Sequence, residues 1–206
     1  SNLIRHTIDV MHVEKNFFDN IFETLMDTDK TKDNLKARID LEKYCSRIRW
    51  MSLVKHHSGR YFKPKAPYCL TKDNQKDVCK WVKSIKFPDG YASNIRRCVN
   101  ETETKISGFK SHDCHVFMQR LLPTAFQPFV PKNIWETLVD LSNFFRELCA
   151  KIINMENMVL LNKNIIEISC KLEKIFPPGF FNFMEHLVVH LPYEAMLCGP
   201  VGYHWM

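Results

Sequence analysis

The fold is decided by two apolar-patterned stretches, residues 132–154, KNIWETLVDLSNFFRELCAKIIN, and residues 156–176, ENMVLLNKNIIEISCKLEKIF. Apolar residues recur at alternating intervals of three and four positions, from Ile134 to Ile152 in the first stretch and from Met158 in the second. This spacing places them on one face of an α-helix. Because only a few residues separate the two stretches, we predict a long antiparallel helix hairpin.

Shorter helices are predicted on both sides of this hairpin. Residues 8–27 form an amphipathic pattern, and the stretches 31–34 and 71–74, both Thr-Lys-Asp-Asn, are predicted to open two further helices. In the first of these helices, we expect Leu35, Ile39 and Leu41 to face inward and the basic residues to face outward. The chain is therefore predicted to be all-α, an irregular helical domain without a substantial sheet.

Composition narrows the class of protein. The chain has 206 residues, of which 45% are hydrophobic, enough for a sizeable core. No apolar run approaches the length that spans a bilayer, so we expect no membrane association. The eight cysteines are scattered without a CxxC pair, which favours a reducing compartment and free thiols.

Positive charge is concentrated in one segment. The chain carries a net charge of +6, and residues 28–65 hold eleven Lys and Arg against four Asp and Glu. Such a segment is either an ordinary solvated face or a contact surface for a polyanion. The candidate contacts are Lys36, Arg38, Lys43, Arg47, Arg49 and Arg60.

A titratable cluster is predicted around the middle of the chain. Ser111 is a candidate N-cap of a short helix that Pro123 would end. If this helix packs against the last one, their polar side chains could meet, either as a hydrogen-bonded network or as a zinc site. No metal motif of defined spacing is present, so we expect the network and no bound metal. Its members would be His112, Asp113, His115, His186 and His190.

Glu14 has two interpretations. It borders the apolar face of the first helix rather than lying opposite that face. An acid at such an edge is commonly a surface residue whose carboxylate reaches the solvent. The alternative is a half-buried carboxylate held for chemistry.

Six stretches, in the same order along the chain, resemble the transposases of plant En/Spm-like (CACTA) DNA transposons. They are RHTIDVMHVEKN at 5–16, TKDNLKAR at 31–38, KFPDGYASN at 86–94, KSHDCH at 110–115, IFPP at 175–178 and GPVGYHWM at 199–206. The resemblance covers nearly the whole chain and corresponds to the C-terminal part of the catalytic region and the region after it.

The resemblance implies a nuclear protein that cuts and joins DNA with a ribonuclease-H-like core, three acidic residues and two Mg²⁺ or Mn²⁺ ions. It divides the chain into residues 1–68, a remnant of that core with the basic segment, and residues 69–206, a helical domain. The first helix resembles the one that closes the core. Glu14 is the implied candidate for the last catalytic acid, with Asp9 second.

Catalysis by this chain alone is not expected, because the other two acids would precede Ser1 and one acid cannot hold two metal ions. We therefore predict no cofactor for the chain alone, weak and sequence-independent DNA binding, and self-association as a further option. The alternative is a DNA- or protein-binding helical module reused by the host. No small-molecule substrate is expected. A zinc hydrolase built from the four histidines of the cluster lacks a supporting motif.

Overall fold

The computed structural model of the chain describes residues 7–44, 53–55, 61–88, 91, 94–100, 102 and 104–201. The described chain is mostly helical, which confirms the predicted all-α class. Its α-helices are α1 (Val10–Leu25), α2 (Leu35–Tyr44), α3 (Lys72–Ser84), α4 (Ser111–Val116), α5 (Leu122–Phe126), α6 (Lys132–Leu148), α7 (Met155–Ile175), α8 (Phe183–Leu187) and α9 (Leu191–Cys198).

The strands in the described part are each two residues long. They are β1 (Val54–Lys55), β2 (Tyr61–Phe62), β3 (Val99–Asn100) and β4 (Lys105–Ile106). β1 pairs antiparallel with β2, and β3 with β4, as two separate ladders. Both ladders are short, and most of the described core residues belong to helices.

The predicted hairpin is formed by α6 and α7, which pack against each other, and α9 packs on α7. The Lys171 ammonium lies 2.7 Å from the Asp140 carboxylate across the hairpin. Ile152, however, is 87% exposed. α6 ends at Leu148, and residues beyond that end no longer follow helical spacing. The buried seam residues are Ile134, Leu138, Leu141, Phe145, Leu148, Met158, Leu161, Ile165, Ile168, Leu172 and Ile175.

α1 is largely buried and contacts α4 and α8. Phe18 and Phe22 stack on each other at 5.3 Å between ring centroids, and both meet Phe117. Edge-on and tilted contacts of this kind add to the gain from burying the rings. This packing fixes the direction in which the polar residues of α1 point.

The structure agrees with the predicted inward face of α2 at Leu41, which is 4% exposed, but not at Leu35 and Ile39, and the helix begins at Leu35 rather than within residues 31–34. Leu35 and Ile39 are 41% and 40% exposed, whereas Arg38 is fully buried. Its guanidinium donates to both oxygens of the buried Asp33 carboxylate, including a 2.7 Å bond from Nη2 to Oδ2. Tyr68 donates to the same carboxylate at 2.9 Å. Because a buried carboxylate needs a partner, this pair decides which side of α2 faces the core.

Pro123 does not end the central helix. Residues 111–126 form one continuous helical rod in which α4 passes through a π-helical turn, Phe117–Leu121, into α5. Pro123 is one of the first two residues of α5, and the π-helical turn lies directly before it. Ser111 is the first helical residue, and the Lys110 backbone N–H is satisfied by the Asp113 carboxylate at 2.9 Å.

Contacts cross the predicted division between residues 68 and 69. The Leu70 N–H donates to the Leu25 carbonyl at 2.9 Å, and the Gln75 amide donates to the Met26 carbonyl at 2.7 Å. Buried side chains from both segments belong to one continuous core. The division stays a prediction about the origin of the two segments. Within the described chain, the helices are all too short or too polar to cross a bilayer.

Candidate functional site

Glu14 is buried, with 1% of its surface exposed. It lies on α1 between the buried residues Val13 and Phe17, so the packing of α1 carries its carboxylate inward. The structure thus matches the interpretation of a held carboxylate rather than that of a surface acid. Its catalytic role stays a prediction.

Two side chains of the central rod hold this carboxylate. The His115 Nδ1 lies 2.6 Å from Glu14 Oε2, and the Gln119 amide nitrogen lies 3.0 Å from Oε1. The same nitrogen lies 3.2 Å from the carbonyl of Phe145 on α6. When Glu14 is ionised, Nδ1 of His115 is protonated and donates a hydrogen bond to the carboxylate. The two amide hydrogens of Gln119 then go to Glu14 and to the Phe145 carbonyl.

Cys149 completes the site. It follows the last residue of α6, and its thiol lies with the Glu14 carboxylate and the His115 imidazole such that the three ligand atoms are within 4.8 Å of one another. Among the residues that the structure describes, no other group of three or more His, Cys, Asp or Glu meets this criterion. The site therefore joins α1, the central rod and the end of α6.

The electrostatics of the site follow from its burial. Burial raises the pKa of Glu14 above its ordinary value, while the hydrogen bond and charge of His115 and the bond from Gln119 act against this rise. Burial also raises the pKa of the Cys149 thiol, and the neighbouring Glu14 charge adds to that rise. At both groups burial therefore makes the charged form more costly than it is in water.

Gln119 and Cys149 were not among the predicted site residues. Gln119 follows His115 by one helical turn, so the spacing could have shown that both reach one partner. Cys149 gives no such signal, because it sits in an apolar helical pattern where a thiol is read as a small hydrophobe.

Asp9 does not join Glu14. It is the N-cap of α1, where its carboxylate accepts from the His12 backbone N–H at 3.1 Å, and it is exposed. A cap residue of this kind satisfies a free amide of the first helical turn. Within the described residues, the site therefore contains one carboxylate, from Glu14.

The predicted histidine cluster is split. His112 is exposed and stacks on His115 with 6.0 Å between ring centroids, while the buried Asp113 caps the rod and lies 3.5 Å from the Arg97 guanidinium. His186 and His190 are exposed and have their Nε2 atoms 3.3 Å apart. The described residues do not bring the four histidines into one group of ligands. The expected single network is therefore wrong.

The basic candidates fall into three groups. Lys36 and Lys43 are exposed on α2. Arg38 is buried in its pair with Asp33, so its prediction as a DNA contact is wrong. Arg47, Arg49 and Arg60 lie outside the described residues.

A cleft of about 340 Å³ lies beside α1. Lys15, Lys30 and Lys32 line it together with the acids Asp19 and Glu23. The Lys15 ammonium is 2.9 Å from the Asp19 carboxylate, so part of this charge is already paired. The mixture of signs makes the cleft unlike a basic groove.

The pair of Mg²⁺ or Mn²⁺ ions that the resemblance implies does not fit the described residues. Mg²⁺ requires oxygen ligands in near-octahedral geometry. The site offers one carboxylate, already bonded through both oxygens, beside an imidazole and a thiol. No catalytic step through such ions can be assigned to these residues.

Comparison with known proteins identifies one segment. The family described as "Domain of unknown function (DUF4218)" matches residues 148–206, which contain α7, α8 and α9. This domain is found in plant transposase-like proteins. No curated protein and no solved structure matches the chain.

Proposed function

We propose that the chain is a helical, DNA-associated part of a nuclear transposase of the En/Spm-like kind, and that it does not cleave DNA by itself. The ordered stretches of resemblance and the family match at residues 148–206 support the transposase class. The observation that carries the second statement is the composition of the Glu14 site, in which a single carboxylate meets a thiol and an imidazole.

Transposase chemistry needs more than this site supplies. Two ions that activate the attacking oxygen and stabilise the leaving oxygen must be held by several carboxylates. Glu14 is the one acid at the site in the described chain, and both of its oxygens are bound to His115 and Gln119. The described residues therefore do not supply enough carboxylates to bind that ion pair at this place.

The purified chain, supplied with Mg²⁺ or Mn²⁺, is accordingly expected neither to nick nor to join DNA that carries transposon ends. Gel analysis of labelled DNA checks this, with the Glu14→Gln variant run in parallel. Metal-dependent cleavage by the parent that disappears in Glu14→Gln would show that the site is complete as it stands.

The proposed DNA contact is the lysine-bearing face of α2 and the loop before it. Lys36 and Lys43 are seven positions apart, which brings them to nearly the same side of a helix, and Lys30 and Lys32 are exposed nearby in sequence. Asp40 lies between the first two and reduces their combined field. We therefore expect weak, sequence-independent binding through phosphates.

Replacing Lys36 and Lys43 with Gln should weaken DNA binding and lower its salt dependence. Each lost phosphate contact lowers the slope of log affinity against log salt by about 0.9, so the double variant should lose up to about 1.8. Fluorescence anisotropy at several salt concentrations measures this slope.

The matched control is Lys163→Gln with Lys174→Gln, which removes the same charge from exposed positions of α7. An equal loss of slope in both double variants would mean that binding follows net charge and that α2 is not the contact. Salt-insensitive binding by the parent would exclude a phosphate contact altogether.

A further inference from the structure

We propose that Glu14, His115 and Cys149 form a binding site for one zinc-class divalent ion. This inference rests on the geometry of the site and does not depend on the proposed function. The three ligand atoms come from residues 14, 115 and 149, in three separate parts of the fold, and lie within 4.8 Å of one another. Tertiary packing, rather than a sequence motif, brings them together.

The chemistry of the three groups selects the ion. Zn²⁺ binds thiolate sulfur, imidazole nitrogen and carboxylate oxygen in tetrahedral sites, and three protein ligands leave a fourth position. Mg²⁺ and Ca²⁺ prefer sets made of oxygen alone. A mixed S, N and O set therefore favours zinc or a similar transition-metal ion.

Charge balance favours the ion as well. Glu14 is buried and carries one negative charge when ionised, and Cys149 adds a second when its thiol loses its proton to solvent. One Zn²⁺ makes the set neutral, which removes the cost of burying an isolated carboxylate. On binding, the proton of the neutral His115 moves from Nδ1 to Nε2, so a single proton is released per ion.

The present contacts show where the ion would enter. The 2.6 Å hydrogen bond between His115 Nδ1 and Glu14 Oε2 is shorter than the separation of two ligands around zinc, so these groups must part slightly. The Gln119 amide, 3.0 Å from Glu14 and 3.1 Å from His115, turns its oxygen inward or gives way to a water as the fourth ligand. The His115 side chain is 23% exposed and gives the ion a route from solvent.

The test uses the full, reduced 206-residue chain, titrated with Zn²⁺ and separately with Co²⁺. We expect one equivalent to bind, the thermal midpoint to rise, and the Co²⁺ form to show a thiolate-to-cobalt charge-transfer band. Cys149→Ser should abolish that band. Both Cys149→Ser and His115→Ala should weaken zinc binding by more than about 100-fold. Loss of a residue that only supports a metal ligand weakens binding by at most about 100-fold, so a larger effect identifies a ligand.

Two controls keep the result specific. Cys170→Ser removes an exposed thiol from α7, and His186→Ala breaks the exposed histidine pair; both should bind zinc like the parent. Absence of stoichiometric binding, or equal binding by parent and Cys149→Ser, would overturn the proposal.

Circular dichroism verifies that each variant is folded, and the partly exposed His115 position supplies the test if Cys149→Ser does not fold. DNA binding through the lysines is measured separately, so either proposal can fail alone.

Discussion

Arg38→Ala is expected to lower the free energy of unfolding by about 3–5 kcal/mol, because it removes the guanidinium bonded to both oxygens of the buried Asp33 carboxylate and leaves only the longer 3.7 Å approach of Lys63 among the ion pairs described for that carboxylate. Both side chains of this pair are fully buried. Urea denaturation followed by circular dichroism measures the loss. Lys36→Ala, two residues earlier on the exposed side of α2, is the matched control and should change stability by less than about 0.5 kcal/mol.

Two further measurements separate the pair from simple loss of volume. Asp33→Asn combined with Arg38→Met should lose less stability than the sum of the single changes, since no charge is left unpaired.

Burial alone would raise the pKa of Asp33, but Arg38, Lys63 and Tyr68 outweigh it and hold that pKa below its ordinary value of 3.8. The stability from this carboxylate is therefore present above pH 3.8 and lost as the pH falls further. If the free energy of unfolding of Arg38→Ala equals that of the parent, the Arg38–Asp33 pair does not stabilise the fold as proposed.

Leu148→Ala should cost about 2–5 kcal/mol, as expected for a fully buried leucine truncated in a packed seam. Chemical denaturation again gives the value. The control is Ile152→Ala, only four residues away in the same apolar pattern but 87% exposed, which should cost less than about 0.5 kcal/mol. Equal losses at the two positions would mean that the hairpin extends beyond the observed end of α6.

The long helices were predictable because their pattern is long and regular. Periodicity places Leu138, Leu141 and Ile165 on the seam, and the structure buries all three. The same pattern gives no sign that α6 stops at Leu148, since helix ends depend on local capping and on packing. It therefore also places Ile152 in the core, which is wrong.

The errors in the shorter helices have a common physical cause. In α2, the buried Arg38–Asp33 ion pair determines the orientation of the helix more strongly than Leu35 and Ile39 do. A prediction from hydrophobic positions alone therefore places Arg38 on the exposed side, which is wrong. In the central rod, Pro123 predicts a stop, but it directly follows a π-helical turn and the rod continues to Phe126. Sequence patterns count apolar residues and breakers, but they do not show which polar groups will be enclosed together.

The candidate site was half predictable. The sequence selects both Glu14 and His115, by resemblance and by their place on their helices. Their 2.6 Å contact, and the approach of Cys149, depend on how α1, the central rod and α6 pack. Residues separated by 101 positions meet only through the fold, so a single sequence without a spacing motif could not supply this partnership.

The π-helical turn at Phe117–Leu121 makes this part of the chain tolerant of a change in length. The Leu122 N–H reaches back five residues to the Phe117 carbonyl, one more than in an α-helix. Deleting one residue here would remove the extra residue of the wider turn and restore ordinary helical spacing, so the residues beyond it would keep nearly their present direction. Phe126 would then stay in the core and His115 in place. The same deletion within a regular helix such as α6 would rotate everything beyond it by about 100°.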